Sequence, residues 1–224
     1  MRLIKLILAD LKFLWKYGFI LIYLVLSIAY IMLLGVVPDS IAKYAGNFII
    51  IADPMTLGLF LMGAWILLEK SQKTISYMAV SPISVTEYLV SKVLSMSLVG
   101  EAVTFFILLI SHSKHMALSL VVVFTGAVMC TFIGISVGSM TKGINTYVIL
   151  SMPFEVWAYL PVVLSICGKR SGILEFFPGY IIWQILNDDL GNVPVRLLCL
   201  VVWVIILYFV SKRSLEKIYG LNEG

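Results

Sequence analysis

The chain has 224 residues, of which 61% are hydrophobic and 12% charged, against roughly 45–50% and about 25% in an average soluble domain. A water-soluble core cannot absorb that excess, so lipid is the expected solvent. The formal net charge is +4, but the basic residues stand at the ends of long apolar runs and not on one polar face, which speaks for a positive-inside topology and against nucleic-acid binding.

Residues 1–16 place Arg2, Lys5, Lys12 and Lys16 within about a quarter of the helical circumference at about 100° per residue, with Leu3, Ile4, Ile7, Leu11, Leu14 and Trp15 opposite. This predicts an amphipathic helix lying on the membrane surface. The apolar stretch that follows is too long for a signal peptide and lacks a small-residue cleavage site, so it is expected to stay attached.

Crossing about 30 Å of hydrocarbon takes about 20 helical residues. Apolar runs of that order lie at 17–37, 47–68 (interrupted by Asp53), 93–111 (interrupted by Glu101), 117–140, 144–167 (interrupted by Glu155) and 195–211, the last slightly short and carrying Arg196 near its start. Residues 176–187 are apolar and aromatic but too few to span, which suits a re-entrant or interfacial helix. The expected fold is therefore all-α and integral to the membrane: six transmembrane helices, an N-terminal interfacial helix, and a short re-entrant segment before the last span. One transmembrane domain covers 1–224, with an interfacial helix at 1–16, a cytoplasmic loop at 69–92 and an outer re-entrant region at 168–194.

Charge counting orients it. With the N-terminus inside and six crossings, Arg2, Lys5, Lys12, Lys16, Lys70, Lys73, Lys92, Lys142, Lys212, Arg213 and Lys217 collect on the cytoplasmic side, eleven of the sixteen basic residues. Lys43, Lys114, Lys169, Arg170 and Arg196 fall outside. A seventh crossing would send Lys212, Arg213 and Lys217 outward, against the usual bias. The expected location is the cell (plasma) membrane, multi-pass, with both termini in the cytoplasm.

The loop after the second span reads EKSQKTISYMAVSPISVTEYLVSK from Glu69 to Lys92. Its first part suits a short helix, which Ser81-Pro82 ends. Ser84 followed three residues later by Glu87 forms a capping-box signal for a new helix entering the third span. Ile75, Tyr77, Met78 and Val80 among charges suggest a docking surface as against a plain connector.

Within the spans, Asp53, Glu101 and Glu155 are expensive in lipid. Either they line a route for a cationic or polar substrate, or each is protonated or hydrogen-bonded between helices for structural reasons. Gly126, Cys130, Gly134 and Gly138 form a stripe of small residues for close helix packing, within the chain or across a dimer. Pro153 and Pro161 are expected to bend the fifth span. The three cysteines, Cys130, Cys167 and Cys199, read as small packing residues, since an odd number completes no disulfide framework. His112 and His115 lack a third ligand, so no metal is expected. Phe176, Phe177, Tyr180 and Trp183 form a candidate outer gate or an interfacial anchor.

Taken together, Glu69, Lys70, Lys73, Thr74, Ser81, Pro82, Ile83, Ser84, Glu87 and Lys92, followed by the third span, resemble the loop of the permease subunits of ABC-2 type ABC transporters. The six-span layout with an N-terminal interfacial helix and a short segment before the sixth span is similar too. Within that family the chain is most similar to the short permeases linked to drug export of the fluoroquinolone type. It departs in one place: the glycine that many relatives carry before the Thr is Lys73 here.

The resemblance implies a type V exporter-like transmembrane domain. It places the coupling contact to an ATPase on Glu69, Lys70, Lys73, Thr74, Tyr77, Ser81 and Pro82. It also implies ABC ATPase subunits as partners, binding ATP and Mg, and a second permease copy as homodimer or heterodimer, all within membrane lipid. The chain itself has no G-x-x-x-x-G-K-[ST] phosphate loop, so no cofactor and no enzymatic activity are expected in it. The implied function is outward transport of an amphipathic substrate such as a drug, a lipid-like molecule or a small peptide. A bacteriocin or peptide immunity permease and a non-transporting membrane scaffold are the alternatives. An intramembrane enzyme is disfavoured because no span contains a histidine or a nucleophile motif.

Overall fold

The computed structural model describes residues 2–72, 83–111, 113–168 and 172–218. In chain order they form α1 (Arg2–Lys16), α2 (Phe19–Val36), α3 (Asp39–Ala52), α4 (Leu57–Ser71), α5 (Val85–Ile110), α6 (Met116–Met140), α7 (Ile144–Ile166), a 3₁₀ turn (Gly172–Phe176), α8 (Pro178–Leu186) and α9 (Val193–Ile218). No strand occurs among the described residues.

Six helical units are long and apolar enough to cross a membrane: α2, Ile41–Ser71, α5, α6, α7 and α9. The chain is thus a multi-pass membrane protein whose helices satisfy their own backbone groups in lipid. The six expected spans all appear, several of them longer than hydropathy alone marked. α5 starts eight residues before residue 93 because the capping box forms: the Glu87 amide donates to Ser84 Oγ at 3.1 Å and the Ser84 amide to Glu87 Oε2 at 3.0 Å.

Between α1 and α2 the chain turns at Gly18, whose φ of +78° is the left-handed conformation that a side chain disfavours. The second span is not one helix. Pro54 has no amide hydrogen to donate, and beside it the ladder widens by one residue, the Met55 amide donating to the Ile50 carbonyl at 3.0 Å, before the ordinary spacing resumes with the Leu57 amide on the Asp53 carbonyl at 2.9 Å. α3 ends at this break and α4 begins beyond it. The fifth span behaves differently, since α7 runs unbroken through Pro153 and Pro161.

α6 is the central post. Of its most apolar stretch 78% is buried inside the chain, against 11% for α2 and 6% for α9, so the last two present their sides to lipid. The small-residue stripe of α6 explains its closeness to α4. A Cβ on Gly134 would lie 2.5 Å from the Gly58 carbonyl oxygen, and one on Gly58 would lie 2.8 Å from Thr131 Cα. The stripe therefore packs within the chain. Cys130, part of it, is buried, whereas Cys167 is exposed and Cys199 half-buried.

α8 has nine residues, about 13 Å of helix, too short to cross about 30 Å of hydrocarbon. All nine are buried, among α3, α6, α7 and α9.

Candidate functional site

At the α1 end of the bundle a buried polar cluster ties three helices together. Lys92 on α5 is only 4% exposed. Its Nζ lies 2.8 Å from Asp10 Oδ1 on α1 and 2.7 Å from Glu69 Oε1 on α4. The ammonium also sits 3.6 Å from the centroid of the Trp65 ring, within cation–π range. The carboxylates accept further hydrogen bonds: Glu69 from Trp65 Nε1 at 2.9 Å and from the Tyr88 hydroxyl, Asp10 from the Ser91 hydroxyl. Phe13 of α1 stacks on Trp65 with centroids 4.7 Å apart.

Spacing explains the convergence. Trp65 and Glu69, and likewise Tyr88 and Lys92, are four residues apart and share a helix face. Lys70 turns the other way and donates to the carbonyls of Gly138 and Thr141, each at 2.9 Å, and of Ser139, capping the C-terminal end of α6 where a cation is favoured. Glu69 and Lys70, read from the sequence as partner contacts, thus spend their charges inside the chain. The other expected coupling residues, Lys73, Thr74, Tyr77, Ser81 and Pro82, lie outside the described residues. What is described is the frame around them, since the cluster fixes the end of α4 to the start of α5.

Sequence reasoning overlooked Asp10, Trp65, Tyr88 and Ser91. Asp10 carried a signal. It stands on the side of α1 that holds Leu3 and Leu14, away from the basic quarter, where a lone acid needs a partner.

The break in the second span forms another polar locus. Asp53 Oδ1 accepts from the Tyr23 hydroxyl at 3.1 Å and Oδ2 from the Tyr30 hydroxyl at 2.8 Å. The Ala52 carbonyl, at the end of α3, accepts from the Tyr159 hydroxyl at 2.8 Å and from Thr56 Oγ1 at 3.0 Å. Tyr159 is within electrostatic reach of both Asp53 and Glu155, and Glu155 Oε1 accepts from the Ser151 hydroxyl at 3.3 Å. Asp53 and Glu155 therefore border one region. Glu101 shares no hydrogen bond with either, and its Oε2 is buried with no partner among the described residues. None of the three forms an ion pair there.

At the end of α8, Asn47 donates to the Leu186 carbonyl at 2.8 Å and Lys43 pairs with Asp188, fastening the helix to α3. A cavity of about 820 Å³ opens beside it, walled by Tyr44, Phe48, Trp183, Gln184 and Asp188. Of the four aromatics expected at a gate, Trp183 lines this cavity and Tyr180 is packed in the interior. Phe177 lies near Trp157, and Phe176 is exposed, its carbonyl accepting from Trp203 Nε1 at 3.0 Å. Among the described residues no group of three His, Cys, Asp or Glu side chains is placed to hold a metal; His112 is outside them. In sequence comparisons, no family model matches the chain and no curated protein is significantly similar to it.

Proposed function

We propose that the chain is the membrane-spanning permease subunit of an ATP-driven exporter of the ABC-2 type. In this reading it moves an amphipathic substrate outward with energy from a separate ATPase. The observation that carries the reading is the frame around residues 73–82. The loop whose sequence resembles the ABC-2 coupling region leaves α4 and re-enters α5 between two ends that Glu69 and Lys92 lock together, with α1 added through Asp10. A push on such a loop is transmitted to two spans and not absorbed by fraying, because the ends share one buried ion pair. The short buried α8, read as re-entrant, and the cavity beside it supply a narrow far end, and Asp53 and Glu155 a polar region between.

Purification in mild detergent from the native membrane, with identification of bound chains, tests the reading. An ATPase is expected to copurify, and its activity is expected to fall when Thr74 and Tyr77 are replaced by Ala. Absence of any ATPase, with the chain intact and helical, would leave a membrane scaffold in its place.

A further inference from the structure

Where the 3₁₀ turn meets the N-terminal end of α9 lies a pocket of about 220 Å³, bordered by Glu175 and Phe176 from the turn and by Gly191, Val195, Arg196 and Cys199. The turn is fastened to α9, since the Phe176 carbonyl accepts from Trp203 Nε1 at 3.0 Å, so this wall is in place before a ligand arrives.

Two opposite charges line the pocket and form no ion pair with each other. Arg196 is only 9% exposed. Its Nη1 donates to the Asp189 carbonyl at 2.5 Å and lies 3.6 Å from Asp189 Oδ1. Nε and Nη2 have no hydrogen-bond partner among the described residues, and Nη2 lies beside Gly191 in the pocket wall, 3.8 Å from where a Cβ would stand. Glu175 is exposed, and its carboxylate has neither an ion pair nor a hydrogen bond among the described residues. A buried guanidinium with donors to spare calls for an acceptor. The carboxylate in the same pocket turns away a plain anion and calls for a donor. A zwitterion with an anionic oxygen and a primary ammonium answers both.

The position of the pocket indicates the source of that zwitterion. Arg196 stands one turn inside α9 and is its only charged residue before Lys212, so the pocket lies where the hydrocarbon ends. Val195, Leu198 and Val202, three and four residues apart, share one side of α9, and each is about half exposed or more. That side faces lipid, and Val195 belongs to the pocket wall as well. Acyl chains attached to a headgroup in the pocket therefore continue along it.

We infer that this pocket binds the headgroup of phosphatidylethanolamine, the phosphate on Arg196 and the ammonium on Glu175, with the acyl chains against the lipid-facing side of α9. Among common bilayer lipids, phosphatidylglycerol carries no ammonium, and the quaternary ammonium of phosphatidylcholine has no N–H to donate. The site is separate from the Lys92 cluster and from the break in the second span, and it does not rest on the transport reading.

The test uses the full chain, stripped of lipid in detergent and titrated with phosphatidylethanolamine, phosphatidylcholine or phosphatidylglycerol of identical acyl chains, with bound lipid counted by native mass spectrometry. The first phosphatidylethanolamine is expected to bind about fivefold or more tightly than either of the others, as a charge-assisted hydrogen bond allows. Glu175→Gln is expected to bring it down to the phosphatidylcholine level, and Glu175→Lys to move the preference to phosphatidylglycerol, because the pocket then holds two cations. Glu175 is exposed, so both variants are expected to keep the unfolding midpoint of the natural chain. Arg196→Gln is expected to weaken all three lipids, which share the phosphate. Glu216→Gln, near the other end of α9, is expected to change nothing, and free phosphoethanolamine at millimolar concentration is expected not to displace the lipid. Equal binding of the three lipids by the natural chain, selectivity retained in Glu175→Gln, no gain for phosphatidylglycerol in Glu175→Lys, unaltered binding in Arg196→Gln or the same loss in Glu216→Gln would each overturn the assignment. Displacement by phosphoethanolamine would overturn it too, making the ligand a soluble zwitterion.

Discussion

The chain handles buried carboxylates in two different ways. At the α1 end, Glu69 and Asp10 share Lys92 and are otherwise saturated by Trp65, Tyr88 and Ser91. At the break in the second span, Asp53 has no cation among the described residues and rests on two tyrosine hydroxyls. The first arrangement ties helices together, because removing Lys92 strands the charges of two carboxylates that come from two other helices. The second leaves a carboxylate whose partners are neutral donors, able to exchange one acceptor for another without separating an ion pair. A fixed frame at one end and a replaceable polar contact in mid-bundle are what a molecule needs if one part transmits force and another contacts a passing polar group.

Removing the cation should break the frame. Lys92→Met is expected to destabilise the folded bundle by about 3–5 kcal/mol, since it leaves two buried carboxylates without their counter-charge. Thermal unfolding in detergent checks this, and adding Asp10→Asn and Glu69→Gln to Lys92→Met is expected to recover much of the loss. Asp53→Ala should cost less, about 2 kcal/mol, because it orphans two neutral hydroxyls and no charge. A loss at Asp53 as large as at Lys92 would erase the distinction between the two regions.

The frame and the break differed in how far the sequence disclosed them. The spans were legible from run length, and the start of α5 from Ser84 and Glu87, because these signals are local. The break in the second span also has a local cause, since Pro54 beside Asp53 has no amide hydrogen to donate. The partners were not legible. Nothing local relates Asp10 to Lys92, 82 residues apart, or Tyr159 to Ala52; such contacts depend on helix rotation, which apolar runs on all sides of a membrane helix do not encode. For the same reason Glu69 and Lys70 looked available to a partner although both are consumed within the chain. Gly134 was readable as a packing residue, but its opposite number Gly58 became evident only from the closeness of α4 and α6.

A smaller effect sharpens the comparison at the edge of the frame. Ser84→Ala removes the cap of α5 one turn before Tyr88 and is expected to cost about 1 kcal/mol. Amide hydrogen exchange should show the loss confined to the first turn of α5, with the Lys92 cluster still protected. Exchange rising through residue 92 would mean that the cap, and not the ion pairs, holds the frame.

The smallest expected change in stability belongs to Glu101, and it carries the most information about function. Its Oε2 is buried without a partner among the described residues, so no hydrogen bond from them to that oxygen is lost in Glu101→Gln, while the desolvation of a carboxyl is relieved. Stability is therefore expected to hold within about 1 kcal/mol or to rise. Under the proposed permease function, a mid-span carboxyl whose Oε2 has no partner among the described residues is the group to test for contact with substrate. Substrate efflux from reconstituted vesicles is thus expected to fall in Glu101→Gln while its unfolding midpoint stays at or above that of the natural chain. Unchanged efflux, with Glu155→Gln equally silent, would remove both residues from the route and leave Asp53 as the mid-span carboxylate still to be tested.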